Sequence, residues 1–118
     1  MGSDLTLIAS DGKSISAYAA EPDGTPKAGM VIIQEIFGVN DDIRETVDNF
    51  AKEGYFAIAP ALFDRQEPGA VLGFDEAGMT AGRGLKGGMS WDGAILDVNA
   101  AVDHVKGAGK VGDRKSVV

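Results

Sequence analysis

Hydrophobic and polar positions along this chain change period several times, and the changes predict a mixed α/β fold. Residues 6–10 (TLIAS) and 15–20 (ISAYAA) read as two short strands. The Asp11-Gly12 pair between them, completed by Lys13 and Ser14, predicts a hairpin. After a loop at residues 22–27 (PDGTPK), Met30, Val31, Ile32 and Ile33 are apolar without alternation. A strand at 28–34 that is covered on both faces has that pattern, which points to a parallel sheet between helices. Residues 40–52 (NDDIRETVDNFAK) switch to helical period, with Ile43, Val47, Phe50 and Ala51 on one stripe. Asn40 or Asp42 suits the N-cap, Asp42 and Glu45 have capping-box spacing, and Gly54 is placed to end the helix. Residues 55–59 (YFAIA) form a second buried-type strand, stopped by Pro60. Strand, helix and strand at this spacing make a βαβ unit with a right-handed crossover.

Regularity then fades. Between Arg65 and Ser90 there are seven glycines and few apolar residues. Such a stretch is long for a loop in one domain, so it is expected either to cover a site or to be poorly ordered. Residues 91–106 read as a helix with Ile95, Val98, Val102 and Val105 on one face, Asp92 at the positive end, and Gly107 and Gly109 as stops. A further buried strand should follow, and in residues 110–118 (KVGDRKSVV) Val111, Val117 and Val118 are what could build it.

Composition narrows the classes. A chain of 118 residues with 44% hydrophobic and 25% charged residues has the make-up of one globular domain. Its formal net charge of −7 argues against nucleic acid as a partner, since phosphate binding needs a basic footprint. With no cysteine, these residues hold no disulfide, thiolate metal site or thiol nucleophile. No apolar run approaches the roughly 18 residues of a membrane span, and no signal-peptide pattern opens the chain. A soluble, cytoplasmic protein with no membrane partner is the expectation.

Several motifs read blandly. Residues 82–87 match G-x-G-x-x-G, but the preceding FDEAGMTA is no buried strand, so a flexible glycine-rich loop is expected there. A nucleotide-binding domain built on this motif remains a rival. Residues 88–92 (GMSWD) approach G-x-S-x-G, yet Asp92 stands at the second glycine and no strand feeds the turn. Ser90 is better read as a helix N-cap. His104 is the sole histidine, lies off the apolar stripe, and reads as a surface residue. Asp41, Asp42, Glu45, Asp48 and Glu53 decorate the outer face of a helix.

The informative segment is Gln34-Glu35-Ile36-Phe37-Gly38. Glu35 follows an apolar strand directly, and ligands of open α/β sheets bind at strand C-termini. A loop carboxylate in solvent fits the pattern equally well. Arg65 leaves the next parallel strand at the same edge, where it could pair with Glu35 or clamp an anionic ligand.

At these residues the sequence resembles the dienelactone hydrolase (carboxymethylenebutenolidase) family of the α/β-hydrolase fold. The resemblance rests on VIIQEIFGVN (31–40), RETVDNFAKEGYFAIAP (44–60), PALFDRQEPG (60–69) and DVNAAVDHVKGAGKVG (97–112). It implies that Glu35 is the active-site glutamate that contacts and helps activate the nucleophile. It implies that the Ile36 backbone N–H is an oxyanion-hole donor, and that Arg65 grips a substrate carboxylate. The family pattern P-D-L-Y-x-R is altered, with Ala61 and Phe63 at the acidic and tyrosine positions, so the polar lining of the substrate pocket differs. The implied substrate is a small lactone or ester, with its carboxylate suggested by Arg65 alone, and no metal or organic cofactor is implied.

In the family, K-V-G opens the strand that feeds the nucleophile elbow G-x-C-x-G. Here Lys110-Val111-Gly112 is followed by Asp113-Arg114-Lys115-Ser116-Val117-Val118. The expectation is therefore the N-terminal half of an α/β-hydrolase over residues 1–112, with an atypical tail at 113–118 and an incomplete sheet. Such a chain is expected to be inactive by itself. Its central strand should have an open edge, inviting self-association into a homo-oligomer. A non-catalytic binding or assembly module is the other rival.

Overall fold

The computed structural model describes residues 2–107 and 115–117. The chain runs β1 (Ser3–Ile8), β2 (Ser14–Ala20), β3 (Gly29–Val31), α1 (Asp41–Lys52), β4 (Phe56–Pro60), α2 (Glu76–Gly87), α3 (Trp91–Gly107) and β5 (Lys115–Val117). The strands form one sheet in the order β1-β2-β4-β3-β5. β1 and β2 pair antiparallel, with Ser3 opposite Ala19 and Ile8 opposite Ser14, and β2 pairs antiparallel with β4. β3 lies parallel to β4 on one side and to β5 on the other.

Local chemistry accounts for the connections. In the β1–β2 turn Gly12 adopts φ +87°, and its N–H donates to the Ala9 carbonyl at 2.9 Å. Asn40, and not Asp42, caps α1: its side-chain oxygen accepts the Ile43 N–H at 3.1 Å. Gly54 closes that helix at φ +102°.

The buried runs in β3 and β4 alternate between two cores. Val31, Phe56 and Ile58 point to one face with Leu7, Ile15, Ala101 and Val105, under α3. Met30, Ile32, Ala57 and Ala59 point to the other, where Ile43, Val47 and Ala51 of α1 cover them. This is the helix-covered sheet that the unalternating strands call for. No helix among the described residues is long and apolar enough to cross a membrane.

Four expectations are corrected. The glycine-rich stretch holds α2, whose N-cap Asp75 accepts the Gly78 N–H at 2.8 Å. Gly82 to Gly87 thus lie in the second half of a helix, their amides in the helical ladder, and do not form a phosphate-binding loop. The edge of β3 expected to be open is occupied by β5, with Gly29 opposite Lys115 and Val31 opposite Val117. Part of the tail at 113–118 therefore adds an edge strand to a sheet that stays open. The buried line of α3 is Ala94, Asp97, Ala101 and Val105, rotated from the apolar stripe, and Ile95 is 54% exposed. Gly109, expected to help stop α3, and Lys110-Val111-Gly112, expected to open a strand, lie outside the described residues.

Candidate functional site

Beyond β3 the chain turns tightly. The Gly38 N–H donates to the Glu35 carbonyl at 3.2 Å, and Gly38 takes φ +83° with its α-carbon hard against the Ala70 carbonyl. A side chain there would be strained and would clash. Gln34 braces the turn. Its Nε2 donates to the Glu35 carbonyl at 3.2 Å, and its Oε1 accepts the Leu62 N–H at 2.8 Å from the loop after β4. The two strand-end loops are thereby tied to one another. Phe37 adds a second tie: its carbonyl accepts the Leu72 N–H, and its ring meets Phe74 edge-on at 4.5 Å.

Glu35 and Ile36 both line a cleft of about 680 Å³, the size of a small-molecule site. The Glu35 side chain is exposed. No acceptor among the described residues takes the Ile36 N–H. Leu62, Phe63, Trp91 and Ile95 supply apolar walls, and Lys86 brings a cation from the last turn of α2. Phe63, at the family pattern's tyrosine position, is buried and apolar. Among the described residues no group of three or more His, Asp or Glu side chains is placed to hold a metal ion.

Arg65 sits elsewhere. Its Nε donates to Asp97 Oδ2 at 2.9 Å and Oδ1 at 3.1 Å, and its Nη2 donates to Asp97 Oδ1 at 2.8 Å. Its Nη1 donates to Asp11 Oδ2 at 2.7 Å, and Nη2 reaches Asp11 Oδ1 at 3.1 Å. Bonds to Asp97 first and Asp11 second raise the arginine's already high pKa. Asp11 is held down at about 2, chiefly by the hydrogen bond from Arg65 and then by the Lys13 N–H. Arg65 does not line the cleft and makes no ion pair with Glu35.

A family model described as the dienelactone hydrolase family matches residues 15–118. The chain belongs to the dienelactone hydrolase family. A Synechocystis protein carrying carboxymethylenebutenolidase in its name is 42% identical over 103 residues, covering 86% of this chain and 42% of that protein. The carboxymethylenebutenolidase of Pseudomonas putida is 34% identical over 113 residues, covering 92% of this chain and 48% of its own. Among solved structures, a Klebsiella pneumoniae protein described as a dienelactone hydrolase superposes with a TM-score of 0.79 at 26% identity, over 99% of this chain and 49% of that one. The chain thus spans about half the length of the relatives it matches, and its strands and helices are those of an α/β-hydrolase sheet.

Against the dienelactone hydrolase pattern, Glu35 and Ile36 come together in one cleft while Arg65 is engaged by two carboxylates of its own chain. Sequence reasoning missed Asp97, which is fully buried. Its signal was a carboxylate at i−4 and i−8 from the buried Ala101 and Val105. It also missed Gln34 as a brace and Lys86 as a cleft residue; neither carries a local signal, because their roles arise from loops far apart in sequence. Ser90 does cap α3, accepting the Gly93 N–H at 3.3 Å. His104 is exposed, its ring edge-on to Phe56 at 5.9 Å.

Proposed function

We propose that this chain supplies one side of an ester- or lactone-hydrolysing active site, with Glu35 as the acid residue beside the nucleophile and the Ile36 N–H as an oxyanion donor. The observation that carries the reading is that both lie on one braced turn beyond the C-terminal end of β3, in a cleft of substrate size, with no acceptor for the Ile36 N–H among the described residues. Family membership and the carboxymethylenebutenolidase names of the relatives support the reaction class.

In the proposed reaction a thiolate attacks the substrate carbonyl carbon, and the C=O pair moves onto oxygen. The Ile36 N–H donates to that oxyanion. Collapse expels the alkoxide, which takes the proton that the thiol gave up on forming the thiolate, and leaves a thioester. Water then attacks the thioester, releasing the acid and the thiol. Glu35 acts beside the thiol, holding it in its reactive form. The 118 residues contain no cysteine, so the thiol is not among them. A substrate carboxylate was expected from Arg65 alone, and with that guanidinium engaged the proposal is confined to the ester or lactone class.

The test is a chimera in which this chain replaces the matching segment of the Synechocystis relative, assayed for ester and lactone hydrolysis. The chimera should turn over, and Glu35→Gln should lower kcat by about a hundredfold or more, as loss of a triad partner does. Full activity in a folded Glu35→Gln chimera would remove Glu35 from the mechanism. We also propose that the chain self-associates, an idea supported by the exposed apolar side chains of Trp91 and Ile95 on α3, which a second copy could cover. A monomeric mass by analytical ultracentrifugation at tens of micromolar would refute it.

A further inference from the structure

We propose that α2 is a gate: its C-terminal half unwinds and lifts off the Ile36 turn while the rest of the fold stays closed, and so admits a small molecule to the cleft. The admission step rests on the cleft being a ligand site, as read above; the lifting of α2 does not.

A helix stays on its domain by what it buries, and α2 buries little. Its buried residues are Gly78 and Gly82, and Met79 and Leu85 are only half-buried. By contrast α1 buries Ile43, Val47 and Ala51, and α3 buries Ala94, Ala101 and Val105. With no apolar side chain fully withdrawn from water, the main favourable contribution to docking a helix is nearly missing.

The two ends of α2 are held differently. At the start Asp75 caps the helix, and the preceding Phe74 meets Phe37 edge-on. Toward the other end the hydrogen bond to the rest of the chain runs from Gln66 Nε2 to the Leu85 carbonyl at 2.7 Å, and Gln66 is exposed. Such a bond is readily exchanged for one to water.

The glycines of α2 are of two kinds. A Cβ on Gly78 would overlap the Gly73 carbonyl, and one on Gly82 would overlap the Ile36 carbonyl, so close packing requires both. A Cβ on Gly84 or Gly87 would meet nothing. Packing does not explain these two, and each weakens the helix. Their effect is a C-terminal half that unwinds readily, with Gly88 at the C-cap to absorb the change in backbone angles. That half faces the cleft: Lys86 lines it, and so does Met89 just past the cap. Lifting it draws both side chains off the wall and uncovers Ile36, whose Cβ lies 3.1 Å from where a Gly82 Cβ would stand. Covers over ligand sites are drawn from the least stable parts of a fold because they must move.

The chain has no cysteine, so one introduced thiol reports alone. Ile36→Cys places it beneath α2, and Val47→Cys places it in the core under α1, where it reads global unfolding. Each 118-residue variant is labelled with fluorescein maleimide, a probe of small-ligand size, under native conditions. Ile36→Cys should react at least about a hundredfold faster than Val47→Cys, since local opening is far more frequent than unfolding. Adding Gly84→Ala and Gly87→Ala should slow Ile36→Cys about tenfold or more, because each alanine favours the wound helix severalfold. Amide hydrogen exchange of the unsubstituted chain reads the same opening without a core substitution. Relative to free-peptide rates, residues 85–88 should exchange at least about a hundredfold faster than Val47 and Ala101.

Equal labelling of Ile36→Cys and Val47→Cys, or equal protection of residues 85–88 and the core, would show α2 fixed and overturn the gate. Fast labelling of Ile36→Cys that the two alanines do not slow would mean that the thiol is reached without α2 moving, and would overturn it too. None of these results bears on Glu35, so the hydrolase reading stands or falls separately, by the Glu35→Gln chimera.

Discussion

Replacing Asp97 by Asn tests how much of this fold hangs on one buried ion pair. The substitution keeps the shape of the side chain and one acceptor. It removes the charge and turns an N–H toward Arg65 Nε, which now donates to Asp97 Oδ2 at 2.9 Å. Removing one partner of a fully buried pair costs about 3–5 kcal/mol, because the survivor stays desolvated and unpaired. Here the survivor has relief. The Arg65 side chain is 20% exposed and still has Asp11 on its other edge, so the cost should fall to about 2–3 kcal/mol. With a urea m-value of about 1–3 kcal/mol/M for a domain of this size, the midpoint should drop by about 1 M or more.

The double variant Arg65→Met with Asp97→Leu separates charge from packing. Apolar side chains of similar bulk fill the same space with nothing left unpaired, and such replacements are often neutral or stabilising. It should therefore recover most of the loss, giving a coupling energy of about 1–3 kcal/mol between the two sites. Urea unfolding followed by circular dichroism of the native chain, Arg65→Met, Asp97→Leu and the double variant reads the four corners of the cycle. A loss under about 0.5 kcal/mol in Asp97→Asn, or strict additivity in the double variant, would refute the claim that the pair is held by mutual need.

Two of the four glycines of α2 should respond in opposite directions. Gly84→Ala meets open space and should stabilise by up to about 1 kcal/mol through helix propensity, whereas Gly82→Ala would drive a methyl into the Ile36 carbonyl and should cost about 1–3 kcal/mol; thermal unfolding compares them directly. The Asp11 contact should fade in acid. Its carboxyl is depressed in the fold to about 2, so its contribution is complete above the unfolded value of about 4 and is lost as pH falls through about 2. The stability gap between the native chain and Asp11→Asn, read from urea midpoints across pH, should be constant above about pH 5 and close in that window.

What the sequence made legible was local. The β1–β2 turn, the cap and stop of α1, and the buried strands β3 and β4 each announce themselves within a few residues. Glu35 stood out for the same reason, as a charge directly after an apolar strand. α2 was hidden because its buried residues are Gly78 and Gly82. A face made by the absence of side chains leaves no hydrophobic period, and glycine argues against helix by propensity. Asp97 was hidden because a buried carboxylate is explained by its partner, Arg65, which lies 32 positions away. β5 was visible only as a few valines, since three residues become a strand through pairing with β3.

The helix that was hardest to read is also the one that holds the candidate oxyanion donor in place. Gly82 lets the α2 backbone settle onto the Ile36 carbonyl, and Gln66 Nε2 donates to the Leu85 carbonyl at 2.7 Å, pinning the far end of α2 to the loop after β4. Gln34 braces the same turn from below, and Gly38 closes it. The Glu35–Ile36 peptide is thus held at its carbonyl by Gln34 and Gly38, with α2 packed on the Ile36 carbonyl one peptide further on, while the Ile36 N–H has no acceptor among the described residues. An oxyanion donor is effective to the extent that it needs no reorganisation when charge develops. By that criterion the glycine stripe of α2, with no atom to offer a substrate, would belong to the proposed site as much as Glu35 does. A side chain at Gly82 would disturb the Ile36 peptide without touching any reacting group.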